Sequence, residues 1–598
     1  MSNRSSFFIY YSLFSSAHCH TLTLAYYFPF ITPPSSFIIP YLASMDNYQI
    51  AEQLSLLSKL MDIHGENSFK AKSYSSAAFA IEKLPQELST LPESKISSIR
   101  GIGDSVSKKI VELIQTGELS TLKELLNQTP EGVLEMMSIK GLGPKKIHTI
   151  WKELHISTIQ ELKEACELHR IAQQKGFGDK TEQKILEAIQ FQQQNKGKYM
   201  YAELESFAEA LQTKLSDKYS QDQTTITGAF RRQLEVIETL EWVTTVSKKD
   251  LIHFFPKDET QVVDESEEHI QFLANGAIRL YFHLTTKESF YQKLFNTSAS
   301  PTFLQATGPA TVGESEEAIF TEKGLPYIPP YLREESSMLT KVHQNGVPDV
   351  LQVSDIKGLI HSHSTWSDGA YKIEEMANEL IRLGFEYLVI SDHSKAASYA
   401  NGLNEERIKE QHQEIDALNK KLAPFKIYKS IECDILGDGS MDYSNEVLSS
   451  FDLVIASIHS NLDMDEEKAM QRLMGAITNP YVTILGHMTG RLVIRRRGYP
   501  VDHKAIIDAC AANHVAIEIN ASPYRLDMDW RYVDYAIEKG VLLSINPDAH
   551  AVEEFDNIKY GVLVAQKGGL TKKQNLSSFS RDEFEAFLQK RKKAKQLN

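Results

Sequence analysis

Cysteine is scarce in this chain, and its four copies lie far apart. Cys19, Cys166, Cys433 and Cys510 form no CxxC pair and show no spacing typical of a disulfide framework. The sequence therefore predicts a reduced, intracellular protein and argues against a cysteine zinc site. It also lacks an apolar run long enough to cross a bilayer, so we expect no membrane contact and a cytoplasmic location.

Acidic residues are absent from the first 44 positions, which are rich in aromatic side chains and include one basic residue, Arg4. A secretory signal is one interpretation of this segment. A translation start at Met45 explains it better, because an amphipathic helix begins there and everything downstream is typical of the cytoplasm. We therefore interpret residues 1–44 as an extension from a mis-assigned start.

An excess of positive charge, the usual mark of a nucleic-acid-binding protein, is also missing, since the formal net charge is −15. Residues 51–200 nevertheless contain 20 lysines and arginines against 19 acidic residues, so nearly all the excess acid follows residue 200. Phosphate responds to the local potential rather than to the total charge. A DNA-binding module in the first third of the chain is compatible with this distribution.

Residues 45–195 repeat a unit made of Gly-x-Gly, a polar stretch with lysines, and an amphipathic helix. The copies are IRGIGDSVSKKI (99–110), IKGLGPKKI (139–147) and a weaker KGFGDKTEQKI (175–185). Two glycines permit a tight turn that exposes backbone N–H groups to a phosphate, and paired lysines add charge. The repeat favours sequence-independent DNA-binding helix–hairpin–helix motifs over plain loops. The predicted contacts are Gly101, Gly103, Lys108, Lys109, Gly141, Gly143, Lys145 and Lys146.

From residue 355 to residue 598, short β-branched runs alternate with amphipathic helices. This alternation predicts parallel strands that close into a barrel. Residues 196–335 are less regular, with strand-like runs and helices, and residues 336–354 are interpreted as a linker. We therefore expect a multidomain protein.

Nearly every predicted strand of the barrel ends in a side chain that can bind a metal ion. In a barrel these strand ends meet at one mouth. Nine potential ligands are too many for one ion, but they fit three ions with Glu432 as a bridging carboxylate, and histidine-rich ligands favour manganese or zinc over magnesium. The strand AIEIN is the exception, because it ends in Asn520, a residue suited to hydrogen bonding. The nine predicted ligands are His361, His363, Asp368, His393, Glu432, His459, His487, Asp548 and His550.

The ligand series HxH, D, DH, E, H, GH and DxH resembles that of PHP (polymerase and histidinol phosphatase) domains. The resemblance implies a distorted seven-stranded barrel with a trinuclear metal site. With the repeats and the stretch LPYIPPYLRE (325–334), the chain from Met45 onward resembles bacterial family X DNA polymerases that carry a C-terminal PHP domain. Arg491 and Arg525 match family positions near the mouth, and we predict that they contact phosphate.

The resemblance implies an all-α helix–hairpin–helix region (45–195), an α+β nucleotidyltransferase-like palm and thumb (196–335) and an α/β PHP domain (355–598). It also implies gap-filling synthesis, a manganese-dependent 3′–5′ exonuclease and a role in base excision repair. The implied partner is DNA that is gapped or has a free 3′ end. We expect a monomer.

The palm motif of the family is only partly present. Ala229 replaces a serine, and the three metal-binding aspartates of the family correspond to Thr239, Glu241 and Tyr281. The motif residues that remain are Gly228, Phe230, Arg231, Arg232 and Glu235. Nucleotidyl transfer requires carboxylates that hold two magnesium ions, and one glutamate cannot hold both. We therefore predict that the palm fold is kept and its synthesis is lost, while Arg231 and Arg232 hold the DNA backbone or are simply solvated.

The sequence thus predicts a DNA-binding, metal-dependent phosphodiesterase that acts as a 3′–5′ exonuclease. Two alternatives from other classes stay open. One is an active gap-filling polymerase using magnesium, which would need carboxylates from elsewhere in the chain. The other is a small-molecule phosphatase similar to histidinol phosphatase, against which the DNA-binding repeats count. A non-catalytic scaffold is disfavoured by the complete ligand set.

Overall fold

The computed structural model describes residues 46–595 except 83, 85, 140, 311 and 312. The predicted extension of residues 1–44 and the predicted start at Met45 lie outside the described residues. The described chain divides into two compact units, which meet in sequence between Lys196 and Gly197.

The first unit is helical. Its first helix is capped by Asp46, whose side chain accepts a hydrogen bond from the backbone N–H of Gln49 while the Gln49 side chain accepts one from the Asp46 N–H. One apolar core, from Ile50 to Ile189, joins the helices. The helices are α1 (Asn47–His64), α2 (Ser68–Glu82), α3 (Glu93–Ile96), α4 (Asp104–Thr116), α5 (Ser120–Gln128), α6 (Glu131–Met136), α7 (Pro144–His148), α8 (Ile159–Glu167) and α9 (Asp179–Asn195).

The second unit begins with a small α+β module. Strand β7 alternates between buried and more exposed residues, as expected for a sheet with one face on the core. The sheet has the order β2-β4-β7-β6-β5, and β4 runs parallel to β7. The elements are β1 (Tyr199–Met200), α10 (Tyr201–Lys218), β2 (Thr224–Thr227), α11 (Gly228–Arg231), β3 (Val236–Ile237), β4 (Thr239–Thr244), α12 (Lys248–Phe254), β5 (Thr260–Glu265), β6 (His269–Ala274), β7 (Ile278–Leu284), α13 (Phe290–Thr297), α14 (Pro301–Thr307), α15 (Glu316–Glu322) and α16 (Ser337–Asn345).

The rest of the second unit is a barrel of seven parallel strands whose residues are buried almost throughout, as expected for strands covered on both faces. The elements are β8 (Gly358–Ser362), α17 (Ile373–Leu383), β9 (Tyr387–Ile390), α18 (Glu405–Lys421), β10 (Lys426–Asp434), α19 (Asn445–Leu448), β11 (Leu453–Ser457), α20 (Glu466–Thr478), β12 (Val482–Leu485), α21 (His503–Asn513), β13 (Ala516–Asn520), α22 (Val533–Glu538), β14 (Leu543–Asn546), α23 (Ile558–Lys567) and α24 (Arg581–Ala594).

The strands follow one another in chain order from β8 to β14, and the sheet nearly closes on itself. Just beyond the last strand, the N–H of His363 donates to the carbonyl of Ala549 at 2.8 Å, and Ser362 forms a parallel bridge with Ala549. The predicted fold class, a helical region followed by an α+β module and a seven-stranded α/β barrel, is confirmed.

The α+β module packs directly on the barrel within the second unit. Glu235 accepts hydrogen bonds from the indole of Trp530 at 3.1 Å and from the guanidinium of Arg531 at 2.8 Å. Glu205 accepts from Lys559 and Tyr560 on α23. The two parts of the unit are therefore joined by polar contacts that range from half-buried to exposed. None of the helices in the described part of the chain has the length and apolar character of a bilayer span.

Candidate metal centre

All nine predicted ligands lie at one end of the barrel, where the strands finish. The ligand atoms of eight of them form three overlapping clusters, within each of which the atoms lie no more than 4.8 Å apart. The first cluster is His361, His363, Glu432 and Asp548; the second is His363, Asp368, His393 and His550; the third is His393, Glu432 and His459.

Glu432 lies at the centre of the arrangement and is fully buried. Its Oε1 lies 3.3 Å from Nε2 of His361, 3.1 Å from Nε2 of His459 and 3.0 Å from Nε2 of His487. Its Oε2 lies 3.0 Å from Nδ1 of His393. His487, which belongs to none of the three clusters, thus borders the third through Glu432. With Nε2 of His363 at 3.7 Å from Oε2, one carboxylate faces five imidazoles, which is the arrangement expected of a bridging ligand.

Two ligands adopt backbone conformations that side-chain-bearing residues rarely take. His361 has φ 65° and Asp548 has φ 55°. The pairing of β8 with β9 shifts register between Ile360 and Ser362, so His361 sits in a bulge rather than in regular alternation. The rings of His361 and His363 lie close together, with centroids 5.3 Å apart. The bulge sets the direction of the His361 side chain, which therefore does not follow from the two-residue alternation of a regular strand. Such local strain is typical of functional sites.

The residues fit divalent cations. Several fully buried atoms make no hydrogen bond within the described residues, among them His361 Nε2, His363 Nδ1, His393 Nδ1, Glu432 Oε2 and His487 Nδ1. An unpaired buried donor or acceptor costs about 1–3 kcal/mol, so this concentration of them requires another partner. The imidazole and carboxylate groups face one another at 3–4 Å. Divalent cations bound between these groups would be that partner.

The electrostatic environment of the clusters favours the ionised form of their carboxylates. Burial alone would raise the pKa of Glu432 and Asp548, but the imidazoles around them hold both values well below the usual range. Burial and the neighbouring His550 and His393 lower the pKa of His363 to about 3. The carboxylates are thus ionised and the imidazole of His363 is neutral, which are the forms that bind metals. Against the effect of burial, the neighbouring carboxylates raise the pKa of His361, His459 and His550, so these rings must release a proton when a cation binds.

Glu518, on β13, was missed by the sequence reasoning, which singled out only Asn520 on this strand. Glu518 is fully buried, and its Oε2 lies 2.5 Å from Nδ1 of His361. A carboxylate in this position fixes the ring and its tautomer, so that Nε2 of His361 faces the cluster. The signal in the sequence was a glutamate inside an otherwise apolar strand.

Replacing Glu518 with glutamine should weaken metal binding by about 10–100-fold, because an amide cannot stabilise the imidazole as a carboxylate does. The measurement is the manganese concentration that half-maximally raises the unfolding temperature of metal-free protein. Glu446→Gln, an exposed change on α19, is the matched control and should bind manganese like the wild type. An unchanged manganese affinity in Glu518→Gln would contradict the role assigned to Glu518.

Three further polar residues support the ligands. Asp392 is fully buried and accepts hydrogen bonds from the backbone and hydroxyl groups of Ser364 and Ser367, which shapes the loop leading to Asp368. Asp434 lies 3.2 Å from Nδ1 of His459. The amide of Asn520 donates to Asp548 at 3.1 Å, in agreement with its predicted hydrogen-bonding character.

The two arginines predicted near the mouth differ in their contacts. Arg525 places Nε 3.5 Å from Oδ2 of Asp548, directly beside the clusters. Arg491 instead forms an ion pair with Asp529 at 2.6 Å, and its other nitrogens donate to the backbone carbonyls of Arg525 and Leu526. Arg491 therefore positions the loop that carries Arg525, and these contacts use three of the five N–H groups of its guanidinium.

Arg231 and Arg232 are also engaged within the protein. Arg231 pairs with Glu316 at 2.5 Å, and Glu316 pairs in turn with the buried Arg333 at 2.6 Å. Arg232 pairs with Glu334 at 2.7 Å. The two side chains are only 18% and 13% exposed, so the solvated state considered for them is not found. Their contacts hold the α+β module together.

The three positions that correspond to the aspartates of the palm lie side by side in the sheet. Thr239 and Glu241 lie two residues apart on β4, and Glu241 pairs in register with Tyr281 on β7. The Glu241 carboxylate lies 3.0 Å from Nε2 of His283, and Tyr281 stacks on His269 with centroids 4.9 Å apart. Within the described residues, all clusters of three or more potential metal ligands are in the barrel. Among the three palm positions Glu241 is thus the one carboxylate, and the nearby Asp264 is paired with His269 at 2.9 Å.

The glycine turns of the helical unit have the expected backbone. Gly101 and Gly141 adopt φ 95° and 92°, values that favour glycine, and Gly103 and Gly143 precede α4 and α7 with no side-chain cap. Lys108 and Lys145 are exposed. Lys109 pairs with Glu112 at 2.6 Å, and Lys146 donates to the carbonyl of Gly141 at 3.1 Å. The two exposed lysines are the better placed to meet a phosphate.

Comparison with known proteins adds independent information. Residues 45–119 match the family "Helix-hairpin-helix domain", residues 133–190 match "SAM-like Helix-hairpin-helix tandem", and residues 360–522 match "PHP domain". The barrel resembles proteins named "Probable phosphatase" from Thermoanaerobacter sp. (strain X514) and Caldanaerobacter subterraneus subsp. tengcongensis. They are 27% and 25% identical over 35% and 39% of this chain, and the matches cover 86% and 91% of those proteins.

One relative matches along nearly the whole chain. The protein named "DNA polymerase/3'-5' exonuclease PolX" from Bacillus subtilis (strain 168) is 34% identical over 579 residues, which cover 91% of this chain and 100% of the relative. The match includes the helical unit, the α+β module and the barrel with its ligand clusters. The chain therefore belongs to the family of bacterial family X DNA polymerases with helix–hairpin–helix domains and a C-terminal PHP domain.

Proposed function

We propose that this protein is a DNA-binding, metal-dependent phosphodiesterase that removes nucleotides from the 3′ end of DNA during repair in the cytoplasm. We also propose that its palm-like sheet does not support synthesis. The observation that carries the proposal is the contrast between the two sites. The barrel mouth gathers eight of the nine predicted ligands into three clusters and the ninth, His487, against Glu432, whereas the palm positions contain one carboxylate paired with a histidine.

Three divalent ions, manganese or zinc, would be held by the nine clustered ligands. When bound, such ions lower the pKa of a water molecule and neutralise charge on the phosphate. The protein's own groups orient this chemistry. Glu518 and Asp434 each lie against the Nδ1 of a histidine, so that His361 and His459 direct Nε2 toward Glu432. The guanidinium of Arg525, beside Asp548, is placed to bind a phosphate oxygen.

The helical unit supplies DNA affinity in this proposal. Its glycine turns and exposed lysines are suited to the backbone of DNA rather than to its bases, so binding is expected to be independent of sequence. The name of the Bacillus subtilis relative, which states both polymerase and 3'-5' exonuclease activity, supports DNA as the substrate. A monomer acting on gapped DNA or on a free 3′ end is part of the proposal.

Changing Lys145 and Lys146 together to alanine should weaken DNA binding by the same factor for every sequence. For each phosphate that a lysine no longer neutralises, the slope of log K against log salt should become shallower by about 0.9. Because Lys146 already donates to Gly141, most of the effect is expected from Lys145. The measurement is fluorescence anisotropy with two unrelated duplexes over a range of salt concentrations.

The matched control is Lys123→Ala, which removes an exposed lysine of the same unit that pairs with Glu118 at 2.7 Å. It should leave the salt dependence close to that of the wild type. Weakening confined to one of the two duplexes would contradict backbone recognition by these lysines.

A phosphatase acting on small phosphomonoesters is the second candidate, favoured by the similarity of the barrel to the proteins named "Probable phosphatase". The same metal centre would serve either reaction. Release of inorganic phosphate from a small sugar phosphate or amino-alcohol phosphate, at a rate exceeding DNA degradation, would favour it over the exonuclease.

A further inference from the structure

A short loop at the barrel mouth, residues 394–403, is hydrogen-bonded at each end to the backbone of a predicted metal ligand. The N–H of Ser394 donates to the carbonyl of Glu432 at 3.1 Å, and the N–H of Leu403 donates to the carbonyl of His393 at 2.9 Å. Between them, the N–H of Ala396 donates to Asp442 at 2.7 Å. Both ends and the first turn of this rim loop are therefore fixed to the barrel.

The second half of the rim loop is equally restrained. Asn401 adopts φ 55°, its side chain donates to the carbonyl of Trp366 at 3.3 Å, and its own carbonyl accepts from Arg407 at 2.7 Å. A Cβ on Gly402 would lie 1.9 Å from the carbonyl oxygen of Ser394, so only glycine fits there. The rim loop is thus a preorganised element.

Tyr399 projects from this rim loop into solvent. Its neighbours Ala397 and Ala400 are 1% exposed and anchor the loop, whereas Tyr399 is 62% exposed. Its ring centroid lies 6.4 Å from that of the ligand His393, with the planes 54° apart. A large aromatic ring held rigidly beside a metal centre but left largely uncovered contributes little to the core. Its position suits a ligand with a planar ring that can stack on the tyrosine.

We propose that Tyr399 is a stacking platform for the terminal base of the DNA strand whose last phosphodiester lies in the metal centre. This inference rests on the proposed exonuclease function. The terminal base is one sugar away from the scissile phosphate, so it reaches the rim when that phosphate is at the ligands. Stacking on an aromatic ring accepts every base, because each has a π-face. Such a platform suits an enzyme that removes successive nucleotides regardless of sequence.

The test uses two oligonucleotides that are identical except that one carries an abasic 3′-terminal residue. Both keep the same scissile phosphodiester. For wild-type protein, kcat/KM should be about tenfold or more higher for removal of the base-bearing terminal nucleotide than for removal of the abasic residue. This is the range expected from one base–aromatic stack. Tyr399→Ala should lose that preference, because it slows removal of the base-bearing residue far more than that of the abasic one. Tyr399→Phe should keep the preference, since the ring remains.

The matched control is Lys395→Ala on the same rim loop, where a lysine pairs with Glu405 at 2.7 Å. The ammonium group of a lysine has no flat face on which a base could stack, so this change should alter the rates on both substrates by one common factor. Equal slowing of both substrates in Tyr399→Ala, or no slowing of either, would overturn the platform. So would a Tyr399→Phe variant as impaired as Tyr399→Ala, which would indicate a hydroxyl contact. If wild-type protein degraded neither oligonucleotide, the proposed exonuclease function would fail, and this inference with it.

Discussion

Asp368→Ala should abolish DNA degradation while leaving the fold and DNA binding intact. Asp368 is the one carboxylate of the second cluster, where its Oδ1 lies 3.5 Å from Nε2 of His550 and 3.7 Å from Nε2 of His393. Burial opposes its charge, but the surrounding imidazoles still hold the pKa of Asp368 below its usual range. Alanine would leave only neutral or cationic rings in that cluster.

The expected loss of rate is at least about a thousandfold, since a cation at such a centre contributes several kcal/mol of charge stabilisation and each 1.4 kcal/mol is tenfold. Asp368→Asn keeps the shape and should also be strongly impaired, because an amide oxygen carries no full charge. Asp582→Ala, which removes an exposed carboxylate on α24, is the control and should degrade DNA at the wild-type rate. Near-normal degradation by Asp368→Ala would show that the second cluster is not part of the active centre.

Template-directed synthesis should be undetectable in the wild-type protein on gapped DNA with magnesium or manganese and all four nucleotides. Thr239 and Tyr281 offer no carboxylate, and Glu241 is engaged with His283. Two magnesium ions require several oxygen ligands at short distances, and one glutamate cannot supply them. The measurement is extension of a labelled primer by Asp368→Ala protein, in which degradation would not mask a product.

Glu241→Ala provides the companion measurement. Because Glu241 lies outside the ligand clusters of the barrel, we expect this variant to degrade DNA like the wild type. Insertion of even a single template-matched nucleotide by Asp368→Ala, lost when Glu241→Ala is added, would show that the palm positions remain catalytic.

The parts of the site that could be predicted from the sequence are those that depend on topology. Strand–helix alternation predicts a parallel barrel, and a parallel barrel brings the ends of its strands together. His363 and His550 therefore meet, with ring centroids 4.2 Å apart, although they are 187 positions apart in the chain. The order of the elements and the residue at each strand end are enough to predict this meeting.

The remaining parts depend on local geometry that periodicity does not describe. The bulge at His361 and the left-handed backbone of Asp548 lie where the barrel closes, beside the hydrogen bond that the Ala549 N–H donates to the His361 carbonyl. Glu518 is a charged residue inside an apolar strand, and its role becomes clear only from its contact with His361. Arg491 and Arg525 have the same chemistry, and only their neighbours show that Arg491 pairs with Asp529 while Arg525 borders Asp548.

The central claim is that the barrel removes nucleotides from the 3′ end of DNA, and the position of a label tests it most directly. A gapped duplex is labelled at either the 5′ or the 3′ end of the upstream strand and incubated with protein and manganese, without nucleotides. We predict that the 3′ label is released at once as a mononucleotide and that the 5′ label passes into a ladder of progressively shorter strands. A 3′ label that stays in long fragments, or strands that keep their full length, would contradict the claim.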